Sequence, residues 1–291
     1  MFMELRQLKY FTHSAEMLNF TEAAKCVFIS QSTLSQQIKQ LEDELGILLF
    51  DRIGKTVKLT EAGKVFLPYA RQSILDAENG KQIIDDIKDL RHGELHIGAT
   101  YGLSGLLAQT IVAFLKKYPD IKIIVEFGTS EDLIEKLRTA KVDFILSFLQ
   151  MQKSKLFVTQ TLFTSPLSLV VHRSHKLSSA QNITLKDLEN IPLALPGKGF
   201  NSRRFLDEVF EKKRIKANVK MELNDINTLL NLVETGNWCT IMTVVAAKGK
   251  PDLKTIPFKN FNGNIPASIT WLKDAYRKKS ELIFTEMLKK V

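Results

Sequence analysis

The chain has 291 residues and a formal net charge of +9, with 44% hydrophobic and 25% charged residues, proportions typical of a globular protein. Its length allows two or three domains, each with its own core. We expect no membrane partner, because no apolar run approaches the roughly 20 residues of a bilayer span and the first ten residues lack the pattern of a secretory signal. Only two cysteines are present, Cys26 and Cys239, which favours free thiols and a cytoplasmic protein.

The basic excess is unevenly distributed along the chain. Residues 1–59 contain seven Lys/Arg and seven Asp/Glu, and residues 60–93 are nearly balanced, so the excess lies in the remaining C-terminal part. Net charge is therefore no argument for nucleic-acid binding by the N-terminal part, where any phosphate contacts must come from local placement of basic side chains. For the C-terminal part, a solvated basic surface and an anionic small-molecule ligand both remain open.

Three helices are predicted at the start of the chain. The first runs from about Glu4 to Leu18. A second, short helix begins in the segment FTEAA, where Thr21 can cap its free N–H groups. Ser30 can cap a third helix, which spans about 31–45. Residues at spacings of three and four form one apolar stripe along this third helix: Leu34, Ile38, Leu41 and Leu45.

The opposite face of the third helix is polar and suits the major groove of DNA, because small hydrogen-bonding side chains can reach base edges there. The segment LFDRIGKTVKLT, residues 49–60, predicts two short strands around a turn, in other words a wing whose Arg52 and Lys55 can contact phosphates. An ordinary pair of packed helices with a solvated face is the alternative. The side chains predicted to approach bases and nearby phosphates are Gln31, Ser32, Thr33, Ser35, Gln36 and Lys39.

Residues 3–63 resemble the N-terminal winged helix of the LysR-type transcriptional regulators. The matching segments, in order, are MELRQLKYF, FTEAA, SQSTLSQQIKQLE, LG, LFDR and LTEAG. Two positions on the reading face depart from the pattern: many relatives have Pro where this chain has Ser32, and Arg where it has Gln36. The resemblance implies a DNA-binding fold and double-stranded DNA as partner, but these two departures mean that the operator sequence does not carry over.

A long linker helix is predicted from Thr60 to residue 92, with apolar residues at spacings of three and four. A helix between two domains has no core of its own, so this stripe favours pairing with a second copy of the chain. LysR-type proteins use this helix as the dimer seam, which implies a homodimer or homotetramer. Pro68 should kink the helix or mark a restart.

From Glu94 the pattern alternates between strands and helices, which predicts parallel βαβ units. The expected fold is an N-terminal all-α winged helix-turn-helix joined by the linker helix to an α/β, two-lobed, periplasmic-binding-protein-like effector domain, as in LysR-type proteins. The chain should cross between lobes near 163–166 and 264–267. The predicted segments are 1–59 (DNA-binding), 60–92 (linker) and 93–291 (effector-binding), with lobe I about 93–165 and 267–291 and lobe II about 166–266.

Loops after the strands are the expected effector site, because ligands of parallel sheets bind beyond the C-terminal strand ends and helix N-termini there attract anions. The simpler interpretation is that these polar residues only cap helices. The resemblance implies that the loops line an inducer pocket. The candidate effector-binding residues are Thr100, Tyr101, Gly102, Thr129, Ser130, Phe148, Phe200, Asn201 and Thr243.

An enzyme function is not expected. Residues 98–105, GATYGLSG, resemble the glycine-rich loop of short-chain dehydrogenases, but the glycine spacing is wrong, and Pro119 prevents Tyr118 and Lys122 from sharing one helix face. The five histidines are scattered, so neither a metal nor another cofactor is predicted. The sequence thus predicts a LysR-type regulator whose operator binding responds to a small-molecule, possibly anionic effector. The alternative is a small-molecule-binding protein whose winged helix serves only protein contacts.

Overall fold

The computed structural model describes residues 3–53, 56–88, 93–148 and 154–289. The chain divides into two compact units, Met1–Ile87 and Lys88–Val291. The N-terminal unit contains three short helices, a two-stranded wing and one long helix. Their bounds are α1 Leu5–Met17, α2 Phe20–Cys26, α3 Gln31–Leu45, β1 Phe50–Ile53, β2 Thr56–Leu59 and α4 Glu61–Lys88.

The core of the N-terminal unit forms where α1, α2, α3 and the wing meet. Phe11 is fully buried and packs on Phe50, with ring centroids 5.5 Å apart, while Phe20 meets Phe50 edge-on. The apolar stripe of α3 is buried at Leu34, Ile38 and Leu41, as predicted, but Leu45 is exposed. The stripe therefore ends one turn earlier than the spacing suggested, because the helix passes beyond the core.

Side-chain caps fix the helix starts. Ser30 Oγ accepts a hydrogen bond from Thr33 N at 3.1 Å, as predicted. For α2, however, the cap is Asn19, whose Oδ1 accepts from the backbone N–H groups of residues 21 and 22. Thr21 lies inside the helix, so the prediction that it is the cap was wrong. Asn and Thr both cap helices well, and the sequence alone gave no reason to start the helix two residues earlier.

The wing is attached to α3 by a buried carboxylate. Strands β1 and β2 pair antiparallel from Phe50↔Leu59 to Ile53↔Thr56. Glu42 is only 4% exposed, and its Oε1 accepts from Leu49 N at 2.8 Å and Phe50 N at 3.1 Å. A charged group in such a position is stabilised by these backbone donors. The link fixes the wing relative to α3.

Helix α4 is continuous over 28 residues and passes through Pro68, so the restart that Pro68 suggested does not occur. Thr60 Oγ1 accepts from Gly63 N at 3.0 Å. Among the described side chains, two ion pairs join α4 to α1: Arg71 with Glu16 at 3.1 Å, and Lys9 with Glu78 at 2.8 Å.

The C-terminal unit contains nine described strands and six described α-helices. The strands are β3 Gly93–Ala99, β4 Ile121–Phe127, β5 Phe144–Ser147, β6 Phe157–His172, β7 Leu193–Pro196, β8 Val219–Leu223, β9 Thr240–Thr243, β10 Leu253–Pro257 and β11 Asn264–Leu272. The α-helices are α5 Ser104–Leu115, α6 Ser130–Arg138, α7 Asn201–Lys213, α8 Ile226–Glu234, α9 Val244–Ala247 and α10 Lys279–Leu288. Two 3-10 helices cover Tyr101–Leu103 and Leu185–Glu189.

One sheet runs through both lobes in the order β10-β6-β11-β5-β3-β4, with β9 also paired to β6. The predicted parallel pairing holds for β3 with β4 and β5, and for β7 with β8. It does not hold for β6 and β11, which are antiparallel. The predicted crossing segments lie on these two strands and pair directly, Phe163↔Ala267 and Pro166↔Asn264, with an irregularity in register between Ala267 and Ser268.

Helix α10 returns to lobe I, where Phe284 packs on Phe114. At its start Arg277 Nε donates to Glu281 Oε1 at 2.7 Å, and Lys278 Nζ lies 2.7 Å from Asp143. Burial raises the pKa of the Glu281 carboxyl to about 7, although the Arg277 charge opposes the shift. The Lys278 ammonium also donates to the Glu94 carbonyl at 3.1 Å, which ties the start of β3 to α10.

Candidate functional site

The polar face of α3 lies opposite its buried stripe and is open to solvent. Gln31 Nε2 donates to Ser35 Oγ at 3.0 Å, and Ser30 Oγ lies 2.8 Å from the hydroxyls of both Ser32 and Thr33. These contacts order the first turn of the helix before any partner binds. Of the six side chains predicted to reach DNA, five are exposed and Ser35 is half-buried.

Only some of the basic side chains of the wing lie within the described residues. Arg52 lies on β1 opposite Val57, and Lys58 on β2 is exposed. The side chain of Arg52 and the whole of Lys55 lie outside the described residues. Their predicted phosphate contacts therefore remain predictions.

A small cavity lies between the two lobes of the C-terminal unit. Its volume is about 30 Å³, which is room for about two water molecules. Lobe I contributes the end of β3, the start of α6 and Phe148, and lobe II contributes the loop before α7 and the region around β9. The lining residues are Thr100, Gly102, Ser130, Phe148, Pro196, Phe200, Asn201, Ser202, Ile226, Met242, Thr243 and Ala246.

Most of the predicted effector residues meet at this cavity, but two lie beside it. Tyr101 stacks on Phe127 with ring centroids 5.0 Å apart. Thr129 caps α6, its Oγ1 accepting from Asp132 N at 3.2 Å. Ile226 and Met242 also line the cavity and were not among the predicted residues. These two lie on α8 and β9, whose approach to α7 depends on the packing of lobe II.

Two hydroxyls in the cavity wall are buried without a hydrogen-bond partner among the described residues. Thr100 and Thr243 are 5% and 2% exposed, and the Oγ1 atom of each lacks a partner. A buried hydroxyl with no partner costs about 1–3 kcal/mol on the scale of protein mutations. Because both line the cavity, they are donors available to a molecule held there.

Two helix N-termini contribute to a cavity lining that is otherwise neutral. Helix α6 begins at Ser130 and α7 at Asn201, and both residues line the cavity. The N-terminus of a helix presents free N–H groups and the positive end of its dipole. No described lining residue is ionisable. The arrangement can bind a small anion through hydroxyls and backbone N–H groups without a salt bridge.

Side chains of the two lobes also contact each other beside the cavity. Arg204 Nη1 lies 3.0 Å from Glu131 Oε1, and Asn201 Nδ2 donates to the Phe148 carbonyl at 3.4 Å. A Cβ atom at Gly199 would approach Thr129 to 3.0 Å. Because both side chains of the ion pair are at least half exposed, it contributes less than about 1 kcal/mol.

Arg203 fixes the loop of lobe II that enters the cavity. Its side chain is 5% exposed, and its guanidinium donates to the Pro196 carbonyl at 2.8 Å, to Asp207 at 2.8 Å and to Glu222 at 2.7 Å. The hydrogen bond from Arg203 holds the pKa of the Glu222 carboxyl below its usual value, against the effect of burial. One side chain thus joins the end of β7, helix α7 and strand β8.

Comparison with known proteins identifies both units. Residues 5–64 match the family of bacterial regulatory helix-turn-helix proteins of the lysR type, and residues 88–291 match the LysR substrate binding domain. The regulator AlsR of Bacillus subtilis is 31% identical over 252 residues, covering 84% of this chain and 82% of AlsR.

Solved structures share the fold over nearly the whole chain. Full-length CbnR bound to its target DNA is 25% identical, covers 99% of both chains and has a TM-score of 0.61. A full-length OxyR from Pseudomonas aeruginosa is 24% identical, covers 99% of this chain and 95% of its own, and has a TM-score of 0.75.

Over the described residues, no helix is both long and apolar enough to cross a membrane. The winged helix-turn-helix and the two-lobed domain together make this a DNA-binding transcriptional regulator with an effector-binding domain. Its partners are double-stranded DNA and a small-molecule effector. The chain belongs to the LysR-type family of transcriptional regulators.

Proposed function

We propose that α3 reads the operator through Gln31, Ser32, Thr33, Ser35, Gln36 and Lys39. The support is their exposure on one face of a helix whose opposite face is buried and the hydrogen bonds that order its first turn. Amide and hydroxyl side chains of this kind bind base edges in the major groove. Arg52 and Lys55 hold the phosphate backbone beside them.

The effector is a small anion, held by hydroxyls and helix N-termini between the two lobes. The observation that carries this proposal is the pair of buried Thr100 and Thr243 hydroxyls, which have no partner among the described residues and lie in a wall made partly by the starts of α6 and α7. A cavity of about 30 Å³ admits only a very small ion, so any larger effector must part the lobes. The basic excess of the C-terminal part adds long-range attraction for anions.

Dimerisation through α4 connects the two functions. Val65, Tyr69 and Ile83 are exposed on α4, at spacings that return to one side of a helix, and the exposed Ile84 lies beside Ile83. Pairing of these side chains with a second copy would bury them and double the number of DNA contacts. An effector that changes lobe closure would shift operator binding by about 1–3 kcal/mol, the usual range of such coupling. Either a dimer or a tetramer is compatible with this scheme.

The segments assigned to these tasks are 1–59 for DNA binding, 60–92 for the linker and 93–291 for the effector. The chain acts on DNA in the cytoplasm and is not an enzyme. Its relatives are named as transcriptional regulators, which supports this proposal.

Fluorescence anisotropy with the tightest duplex that the parent protein selects from a random library tests the DNA contacts. Gln36→Ala should relax sequence preference, whereas Arg52→Ala should weaken binding to all sequences and lower the slope of log affinity against log salt by about one. Lys64→Ala is the matched control, since Lys64 is exposed on α4 and pairs with Glu61. If Arg52→Ala retains the parent's salt slope, the wing does not contact phosphate.

A thermal-shift screen tests the effector class. Small carboxylates and their neutral amides should be compared as pairs against the full chain. A carboxylate that binds the folded state should raise the melting temperature by mass action, and its amide should raise it less. Equal shifts for acid and amide across the whole set would contradict an anion site.

A further inference from the structure

Phe28 occupies a backbone position that does not suit it. It lies in the turn between α2 and α3 with φ of +56°. Ile29 N donates to the Ala24 carbonyl at 3.1 Å, and Phe28 N donates to the Lys25 carbonyl at 3.2 Å. These two bonds form a Schellman motif, in which the left-handed residue is usually Gly and sometimes Asn. A side chain with a Cβ atom is disfavoured in this conformation.

The ring of Phe28 gains nothing from the fold in return. It is 94% exposed, more than any other large apolar side chain of the described residues. Its neighbours Val27 and Ile29 pack against the core of the N-terminal unit, and Phe28 does not. An exposed phenyl ring loses the stabilisation that burial would bring. Both backbone and side chain therefore make Phe28 a poor residue for stability at this position.

The turn that carries Phe28 leads directly into α3, the helix that we assign to DNA. The backbone bonds of Phe28 and Ile29 fix the turn on one side, and the Ser30 cap fixes it on the other. Gln31, the first residue of the polar face, follows Phe28 by three positions. Phe28 therefore places a solvent-exposed ring on ordered backbone three residues before that face.

We propose that Phe28 is a DNA contact whose ring packs on the C5-methyl group of a thymine where α3 enters the major groove. The thymine methyl is the apolar feature of the major-groove edges, and phenyl rings are among the side chains that contact it. Phe28 then adds one apolar contact with DNA to a surface whose other contacts are polar. The inference depends on the proposal that α3 reads the operator.

Phe28→Asn separates this role from a structural one, because the two effects have opposite signs. Asn tolerates the left-handed conformation, so the variant should be at least as stable as the parent in urea unfolding of the full chain. It should nevertheless bind the selected duplex about 10-fold more weakly, as one lost apolar contact allows. No charge is removed, so the salt slope should not change.

Leu18→Asn is the matched control. Leu18 is also apolar, exposed and left-handed, with φ of +47°, at the end of α1. Leu18→Asn should also be at least as stable as the parent in urea unfolding, and it should bind the selected duplex with the parent's affinity. Deoxyuridine, which lacks the methyl group, should be placed at each thymine in turn. At one position, deoxyuridine should weaken DNA binding by the parent protein but not DNA binding by Phe28→Asn.

Three outcomes would overturn the inference: binding of Phe28→Asn that equals the parent's, a deoxyuridine effect at no position, or a changed oligomeric state of Phe28→Asn on size-exclusion chromatography, which would point to a protein contact instead. Gln36→Ala in the same assay identifies which proposal has failed. If Gln36→Ala binds and discriminates like the parent, the assignment of α3 itself is wrong. If Gln36→Ala loses preference while Phe28→Asn does not, only the role of Phe28 is wrong.

Discussion

Replacing Thr243 by valine should stabilise the C-terminal unit and weaken its response to effector. Valine has nearly the same shape, so the change removes a buried hydroxyl without a described partner and leaves the packing of β9 intact. A buried hydroxyl of this kind costs about 1–3 kcal/mol, and we expect a gain of about 1 kcal/mol. With a urea m-value of about 2 kcal/mol/M, that gain raises the unfolding midpoint by about 0.5 M.

Thr240→Val provides the control within the same strand. Thr240 is fully buried and its Oγ1 also has no partner among the described residues, but it does not line the cavity. Both variants should raise the midpoint in urea unfolding followed by far-ultraviolet circular dichroism. Only Thr243→Val should reduce the thermal shift caused by a carboxylate that stabilises the parent. Destabilisation by Thr243→Val, or an equal loss of ligand response in both variants, would refute the assignment of the Thr243 hydroxyl to the effector.

Substitutions at Glu281, Arg203 and Glu42 test three further buried polar contacts. Glu281 has a raised pKa of about 7 against 4.5 when unfolded, so the folded state keeps its proton over this window. Stability should therefore fall by up to about 3 kcal/mol as the pH rises from 4.5 to 7, and Glu281→Gln should remove that fall in denaturation curves measured at several pH values. Arg203→Ala should lower the free energy of unfolding by about 2 kcal/mol, because it leaves the Pro196 carbonyl without its donor. Arg204→Ala breaks an exposed pair and should lower it by less than about 1 kcal/mol. Similar losses from the two variants would contradict the difference in burial. Glu42→Gln should weaken the hydrogen bonds that attach the wing, and amide hydrogen exchange should become faster at Leu49 and Phe50 while the amides of α1 stay protected.

Local signals in the sequence were sufficient for most of the N-terminal unit. The apolar spacing of α3 and the Ser30 cap both depend on neighbours within one or two turns, and both are confirmed except at Leu45, which is exposed. The Glu42 link was not predictable, because a carboxylate near a helix end is most often solvated and its partners lie seven and eight residues away in the folded wing. The cap at Asn19 was missed for a different reason, since two good capping residues lie close together.

For the effector domain, the order of elements was predictable but their pairing was less so. Alternating strands and helices predicted parallel pairing, whereas β6 and β11 pair antiparallel over long distances in sequence. Strand β10, Leu253–Pro257, was not predicted, because its few apolar residues give no clear alternation. Among the cavity residues, the polar ones at helix starts and strand ends had local signals. Ile226 and Met242 also lie at a helix start and near a strand end, but they are apolar, so nothing in the sequence separates them from ordinary core residues.

The connection between the lobes has a mechanical consequence. Because β6 and β11 remain hydrogen-bonded through both crossing points, one lobe cannot move relative to the other by free rotation about two single strands. It must bend or twist a two-stranded ribbon, and the register irregularity at Ala267 and Ser268 is where such a ribbon deforms most easily. Effector binding should thus bend or twist this ribbon without separating its two strands, so the amides of the ribbon should stay protected from exchange throughout.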